Sequence, residues 1–203
     1  VVTALFHDVG YFRHTSDTRH RNGAEYTLKH VTRGARFLTE YLGKLGLAKL
    51  APAASRVIHF TGYERATDKI RVPSPTFRLL GNMLGTADII AQMADRCYLE
   101  KCRDRLFLEF VEGGLAARNK ADHRKSVKFK SAEDLVVKTP GFYKSAMARL
   151  NDQLGGVYRY AETHFGGRNL YIETIYSSIP FAIKVAKERD LNLLRRLPPR
   201  LRE

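Results

Sequence analysis

The amino-acid sequence predicts an all-α protein, and three observations favour this fold class. Apolar residues recur at alternating three- and four-residue steps along several stretches of the 203-residue chain, which is the spacing of one face of an α-helix. Stretches that alternate apolar and polar residues, the usual sign of a half-buried strand, are scarce. Proline and glycine stand where helices are expected to begin and end. These patterns predict a bundle of helices without a sheet.

The first half of the chain shows the helical pattern most clearly. The opening "VVTALFHDVG" has neither an initiator Met nor a basic leader, so we expect a shortened chain that begins inside a helix. Pro52 opens a further helix that closes before Gly62. Ser74 and Pro75 supply an N-cap and a first-turn proline for a long helix that runs to about Leu99. The clearest apolar stripe consists of Leu28, Val31, Ala35, Leu38 and Leu42.

The second half is also expected to be helical, with a basic interruption. A helix over about 103–112 should stop at Gly113 and Gly114. The segment "ARNKADHRKSVKFKS", residues 117–131, lacks periodicity and predicts an exposed loop, in which the Asp122–His123 pair is not expected to bind metal. Helical spacing returns from Pro140, with breaks expected at Gly155-Gly156 and near Pro180. The tail "RRLPPRLRE" is predicted to be frayed or extended.

Composition limits the possible partners. The chain has 35 Lys and Arg against 21 Asp and Glu, a net charge of +14, which favours polyanions or negatively charged substrates. A solvated basic surface without a dedicated partner explains the same charge. No apolar run approaches the roughly 18 residues of a membrane span, so no membrane partner is expected. Cys97 and Cys102 suit neither a disulfide framework nor a zinc knuckle, which indicates a cytoplasmic protein.

Several residues of metal-ligand type stand at the ends of apolar helical stretches. Each of them alone is more often structural than functional. Together they indicate a metal site, because packing of the helices could bring them to one point. Imidazole and carboxylate groups bind Mn²⁺, Fe²⁺, Zn²⁺ or Mg²⁺. The candidates are His7, Asp8, His30, His59, and either Asp88 or Asp95.

This order of residues resembles the HD-domain metal-dependent phosphohydrolases, whose pattern is H…HD…H…H…D on a helical bundle. In "ALFHDVGY", His7 and Asp8 match the HD pair. His30 matches the third histidine, and His59 in "RVIHFTG" matches the fourth. The first histidine has no counterpart, which we attribute to the shortened start of the chain. The resemblance covers about residues 1–111.

Two aspartates match the closing position of the pattern, and their spacing of seven residues does not separate them. "MADR" around Asp95 is similar to the stringent-response HD hydrolases. "GTADIIA" around Asp88 resembles the cyclic-nucleotide phosphodiesterases, and "DRLFLEFVEGG" follows it as "DR…EF" does in those enzymes. The resemblance therefore favours Asp88, with Asp95 as a supporting residue or a salt-bridge partner of Arg96 or Arg103. Gly113 stands where those enzymes carry a purine-binding glutamine, so their specificity is not implied.

The resemblance implies a metal-dependent phosphohydrolase with one or two divalent ions, Mn, Fe, Zn or Mg. Asp8 would bridge them. His7 and Asp88, together with the missing first histidine, would hold one ion, and His30 and His59 would hold the second. With a single ion, His30 or His59 would instead serve as general acid. The implied substrate is a small phosphoester, a nucleotide or cyclic nucleotide, attacked by a metal-activated hydroxide.

The same resemblance divides the chain into a phosphohydrolase core over 1–112 and a helical extension over 113–203. The extension would act as a cap or as the surface of a possible homodimer. Apolar residues that suit either role are Tyr171, Ile172, Ile175, Ile179 and Phe181.

Substrate-binding residues are less well defined by the sequence. Phe60 and Tyr63 beside His59 would line a base-binding pocket or belong to the core. The cations nearest in sequence to the candidate ligands, which would bind phosphate or remain solvated, are Arg13, Arg19, Arg21 and Lys29.

A catalytically silent basic helical module that binds nucleotide or nucleic acid is the alternative function. Beyond charge, nothing in the sequence supports nucleic-acid binding, because no reader motif is present.

Overall fold

The structure, a computed structural model, describes residues 1–119, 121–122, 124–125 and 127–199. These residues form helices and connecting turns, with no strand beyond an isolated bridge between Ala116 and Phe129. The all-α prediction is confirmed. The α-helices are α1 (Val2–Leu5), α2 (His30–Lys44), α3 (Ala51–Val57), α4 (Pro75–Met93), α5 (Tyr98–Lys101), α6 (Phe107–Glu112), α7 (Ala132–Ala148), α8 (Tyr160–His164) and α9 (Leu170–Glu188).

Helix α4 begins where the sequence predicts but ends earlier. The Ser74 hydroxyl accepts a hydrogen bond from the Phe77 N–H, and Pro75 occupies the first turn. The helix stops at Met93 rather than near Leu99, because Asp95 accepts the Cys97 N–H at 2.7 Å and holds a turn there. A π-helical segment, Cys102–Leu106, then joins α5 to α6, and the helix ends before Gly113 as predicted.

Prolines lie inside two long helices. The prediction that α9 is interrupted near Pro180 is wrong, since the helix is continuous from Leu170 to Glu188. An internal proline removes one backbone hydrogen bond and costs about 3 kcal/mol. Burial of one face of α9, including Ile175 and Val185, offsets this cost. The break at Gly155-Gly156 is confirmed, and both glycines have positive φ.

The buried apolar residues form two clusters. The large core joins α4, α7 and α9, and therefore takes residues from both sides of the predicted boundary at 112/113. Ile172 and Ile175 belong to it, so they are buried and do not form a free surface, whereas Tyr171 is exposed. The small core lies between α2 and α3, is flanked by Val2 and Phe6, and consists of Val31, Ala35, Leu38 and Ile58.

The tail is extended as far as Pro199, and hydrogen bonds of Arg196 hold it although most of its side chains are exposed. Leu194 is buried, and the buried Glu100 carboxylate accepts the Arg196 N–H at 3.2 Å. In the basic loop Asp122 pairs with Arg124. The expectation for His123 and for the last residues of the tail, 200–203, lies outside the described residues.

No helix in the described part of the chain is both long and apolar enough to cross a membrane.

Candidate metal centre

His30 is the first residue of α2, and two contacts fix this end of the helix. Lys29 at the N-cap offers no capping side chain. The Glu64 carboxylate takes that role from 33 residues away, accepting the Val31 N–H at 3.0 Å. The His30 Nδ1 donates to the Thr27 carbonyl at 2.8 Å. With Nδ1 engaged, the Nε2 atom of His30 is the nitrogen left to meet a ligand.

The His7–Asp8 turn packs directly on this helix end. It follows α1, and the His7 Nδ1 donates to the Ala4 carbonyl at 2.9 Å. Gly10, two residues further, lies against α2 so closely that a Cβ there would stand 1.7 Å from the His30 carbonyl oxygen. Arg33 donates from Nε to the Gly10 carbonyl at 2.8 Å. Only glycine allows this approach, which brings the HD pair beside His30.

Four of the predicted ligands stand together. The His7 Nε2 lies 3.3 Å from an Asp8 carboxylate oxygen and 3.8 Å from Asp88 Oδ1. The His30 Nε2 lies 3.8 Å from the other Asp8 oxygen. Both histidines therefore present Nε2 to Asp8 while a backbone carbonyl holds Nδ1. Fixing a histidine through its second nitrogen is how metal-binding histidines are oriented.

Asp88, and not Asp95, is the aspartate beside these histidines. Asp88 lies on α4 next to His7 and accepts a hydrogen bond from Gln92 at 3.4 Å. Asp95 pairs with Lys101 and caps the turn after α4. The expected pairing of Asp95 with Arg96 or Arg103 is therefore wrong, because the turn after α4 directs its carboxylate to Lys101.

The charges within the cluster are unevenly distributed. The hydrogen bond to Asp8 raises the pKa of His7 to about 9. Burial opposes ionisation of Asp8, but the bond and charge of His7 and the charge of His30 hold its pKa below the ordinary value. At Asp88 burial prevails and raises the pKa. His7 and Asp8 thus form an imidazolium–carboxylate pair, so metal binding there would release a proton.

These side chains fit a divalent ion in donor type, and the His7 nitrogen lies near metal-site distances from the two carboxylates. Bonds of about 2.0–2.2 Å place the ligand atoms of a tetrahedral ion roughly 3.4 Å apart, and the separations between the His7 nitrogen and the two carboxylates are 3.3 and 3.8 Å. Within the described residues, however, no three His, Cys, Asp or Glu side chains already stand in position to hold one ion. The residues therefore have suitable ligand atoms but do not form a complete coordination site.

His59 lies within 4.0 Å of neither the Asp8 nor the Asp88 carboxylate. Its side chain is buried, with 3% of the residue exposed, in the turn after α3. Its Nδ1 has no hydrogen-bond partner, and no carboxylate of the described residues lies within 4.0 Å of either nitrogen. Burial, helped by the charge of Arg65, lowers the pKa of His59. Its role as a ligand or acid stays a prediction.

Sequence reasoning missed the residues that support His30. The Tyr11 ring stacks on the His30 ring with centroids 4.3 Å apart, and the Tyr11 hydroxyl donates to Glu109 at 3.1 Å. Glu109 on α6 also accepts from Thr27, whose carbonyl holds His30. In the sequence, the resemblance of the "DR…EF" stretch to the phosphodiesterases is what indicates this segment, and the stretch contains Glu109. Burial, with the nearby Glu109 charge, raises the pKa of Tyr11, which keeps it a hydrogen-bond donor.

The cations predicted to bind phosphate differ in whether other residues of the protein already contact them. Arg13 donates to the Asp17 and His20 carbonyls, which ties it into its own loop. Lys29 lies over the Tyr26 ring at 5.3 Å. Arg19 and Arg21 are exposed. Lys29, next to His30, is thus the cation nearest the cluster along the chain.

The fold and the cluster define an all-helical protein with a histidine–aspartate centre at the N-terminal end of α2. The chain belongs to the Npun_R2479-like family, whose model matches residues 15–185. The match includes His30, His59 and Asp88 and begins after the His7–Asp8 turn. No curated protein and no solved structure matches the chain.

Proposed function

We propose that this protein is a metal-dependent phosphohydrolase that cleaves a phosphoester, with a nucleotide or cyclic nucleotide as the expected substrate. One observation carries the proposal: His7 and His30 each donate Nδ1 to a backbone carbonyl and turn Nε2 towards Asp8. The resemblance of "ALFHDVGY" and the later residues to HD-domain phosphohydrolases supports it. The net charge of +14 suits an anionic substrate.

In this proposal His7, Asp8 and Asp88 hold a divalent ion, Mn, Fe, Zn or Mg. The ion would supply hydroxide from water near neutral pH and stabilise charge on the phosphoryl oxygens. His30 gives a proton to the leaving oxygen as the P–O bond breaks. Tyr11 and Thr27 keep His30 in one orientation during this transfer. A second ion, with His30 and His59 as ligands, stays a prediction.

The cytoplasm is the compartment that fits this proposal. Cys97 and Cys102 are both free thiols, and Cys102 is buried. Burial raises the pKa of the Cys102 thiol to about 12, so this group stays protonated and serves packing rather than chemistry.

Elemental analysis of the purified protein tests the proposal most directly. We expect about one or two equivalents of iron, manganese or zinc per chain, lost in Asp8→Ala because its carboxylate joins both histidines. Asp68→Ala is the matched control, since Asp68 is an exposed aspartate that pairs with Lys69 at the surface. A phosphoester screen of the metal-loaded protein would follow.

Failure to bind metal even after incubation with Mn²⁺ would refute the hydrolase proposal. Salt-dependent binding of nucleic acid by that metal-free protein would then favour the silent basic module, because release of counterions makes such binding weaken steeply with salt.

A further inference from the structure

A buried arginine supports the turn that carries His59. Arg149, the first residue of a π-helical segment after α7, is only 4% exposed. It donates to the carbonyls of Phe60 and Gly62 at 2.8 and 2.7 Å. No carboxylate in the described ranges lies within 4.0 Å of its guanidinium, and its Nε atom has no partner. A buried charge without a counter-charge is costly, so its retention calls for an explanation beyond packing.

The guanidinium lies under an exposed aromatic ring. Its carbon stands 4.0 Å from the centroid of the Tyr63 ring, within cation–π distance. Tyr63 is nevertheless 69% exposed, whereas Phe60 in the same turn is fully buried. One face of the Tyr63 ring is therefore fixed by a cation, and the residue still offers most of its surface to solvent. Such a ring can stack on a second aromatic group without first losing rotamer freedom.

The turn with Tyr63 contacts the first turn of α2, directly after His30. Glu64, the next residue, accepts from the N–H groups of Val31 and Thr32, the two residues that follow His30. Arg65 adds a positive charge on the same turn. An anionic ligand with an aromatic ring would thus meet a flat aromatic surface and the exposed cation of Arg65 next to the start of α2.

We infer that Tyr63, supported by Arg149, is the stacking surface for the base of a nucleotide whose phosphate lies at the His7–Asp8–His30 cluster. This inference rests on the proposed function and names the residue that binds the base of its substrate. Stacking accepts any base, because every base has an aromatic face. The adenine nucleotide used below serves as a probe.

The test measures equilibrium binding without turnover. The full-length protein, in excess Mn²⁺, is titrated with the phosphonate analogue of adenosine 5′-monophosphate, in which a methylene group replaces the ester oxygen. The matched probe without a base is the same phosphonate of ribose. We expect Tyr63→Ala to weaken binding of the adenine probe by about tenfold or more, because one base–aromatic stack has that magnitude. Binding of the ribose probe should not change.

Two variants make the result specific. Tyr63→Phe keeps the ring and should bind the adenine probe as the unmodified protein does. Tyr176→Ala removes a tyrosine that is 54% exposed on α9 and lies over no cation in the described residues, and should have no effect.

Equal affinity of the unmodified protein for the two probes, or an equal loss in Tyr176→Ala, would overturn the inference. Unchanged affinity in Tyr63→Ala would also overturn it and leave Arg149 as an anchor of the turn. The proposed function fails separately, through absence of metal or of hydrolysis, and neither is measured in this titration.

Discussion

The large core and the small core differ in what they support. The large core, which joins α4, α7 and α9, contains the bulk of the buried apolar residues. The small core has four buried members, yet its residues adjoin the candidate histidines in sequence: Val31 follows His30, and Ile58 precedes His59. Phe6, packed on its edge, precedes His7. The candidate histidines are therefore next to the smaller of the two clusters, whereas Asp88 lies on α4, beside Ile89 of the large core.

This difference has a physical consequence. Segments with few buried apolar contacts open at lower free energy than the whole molecule unfolds. The His7–Asp8 turn and the start of α2 should therefore fluctuate more than α7 and α9. The proposed uptake of a metal and a substrate would benefit from such local freedom, while the large core stabilises the fold.

The largest expected effect is the difference in unfolding free energy lost when a buried residue of each core is truncated. Ile175→Ala in the large core should lower the free energy of unfolding by about 2–5 kcal/mol, because it leaves a cavity in fully buried surroundings. Val31→Ala in the small core removes fewer atoms and should cost less. Urea denaturation followed by circular dichroism measures both. A greater loss in Val31→Ala would mean that the small core, and not the large one, holds the fold together.

A smaller effect is expected where the HD turn meets α2. In Gly10→Ala the new Cβ would stand 1.7 Å from the His30 carbonyl oxygen, so the turn has to move away from the helix. We expect a loss of about 1–3 kcal/mol, typical of overpacking, together with loss of bound metal. Thermal unfolding and elemental analysis measure the two effects.

Gly43→Ala is the control for that change. Gly43 lies within α2, and a Cβ there meets no atom within 4 Å. Alanine restricts the unfolded chain, so the variant should be neutral or more stable by about 0.4–1 kcal/mol. If both variants keep their metal and their stability, the Gly10 contact does not position the HD pair.

Local rules predict much of the fold. Ser74 and Pro75 start α4, and Gly113 follows the end of α6, because capping and helix termination depend on neighbouring residues. The apolar stripe predicts α2 for the same reason, but its first member, Leu28, is exposed and precedes the helix. The continuity of α9 through Pro180 is not predictable in this way, since it depends on packing that local propensity does not contain.

The candidate site, like the fold, is only partly predictable from the sequence. The sequence order of His7, Asp8, His30 and Asp88 suggests a cluster, and the structure brings these four together. The contacts that support it join distant residues: Glu64 with α2, Glu109 with Tyr11, and Arg149 with the turn after α3. No short motif encodes such pairs, because their members are far apart in the sequence.

The smallest expected effect concerns Glu64, which links the turn of Tyr63 to the start of α2. Glu64→Ala removes the cap on the Val31 N–H and the negative charge near the positive end of the helix. We expect a loss of about 1 kcal/mol, which shrinks in high salt because part of it is charge–dipole attraction. Thermal unfolding at two salt concentrations measures it.

Glu40→Ala, at an exposed position of the same helix, is the matched control and should change stability by less than about 0.5 kcal/mol. Equal losses in the two variants would mean that Glu64 acts as an ordinary surface residue, and a loss that salt does not reduce would mean that the hydrogen bond, and not the charge, is responsible. A loss specific to Glu64 would show that a residue 33 positions away holds the helix end on which His30 stands. The small core would then depend on this polar contact as well as on its four buried side chains.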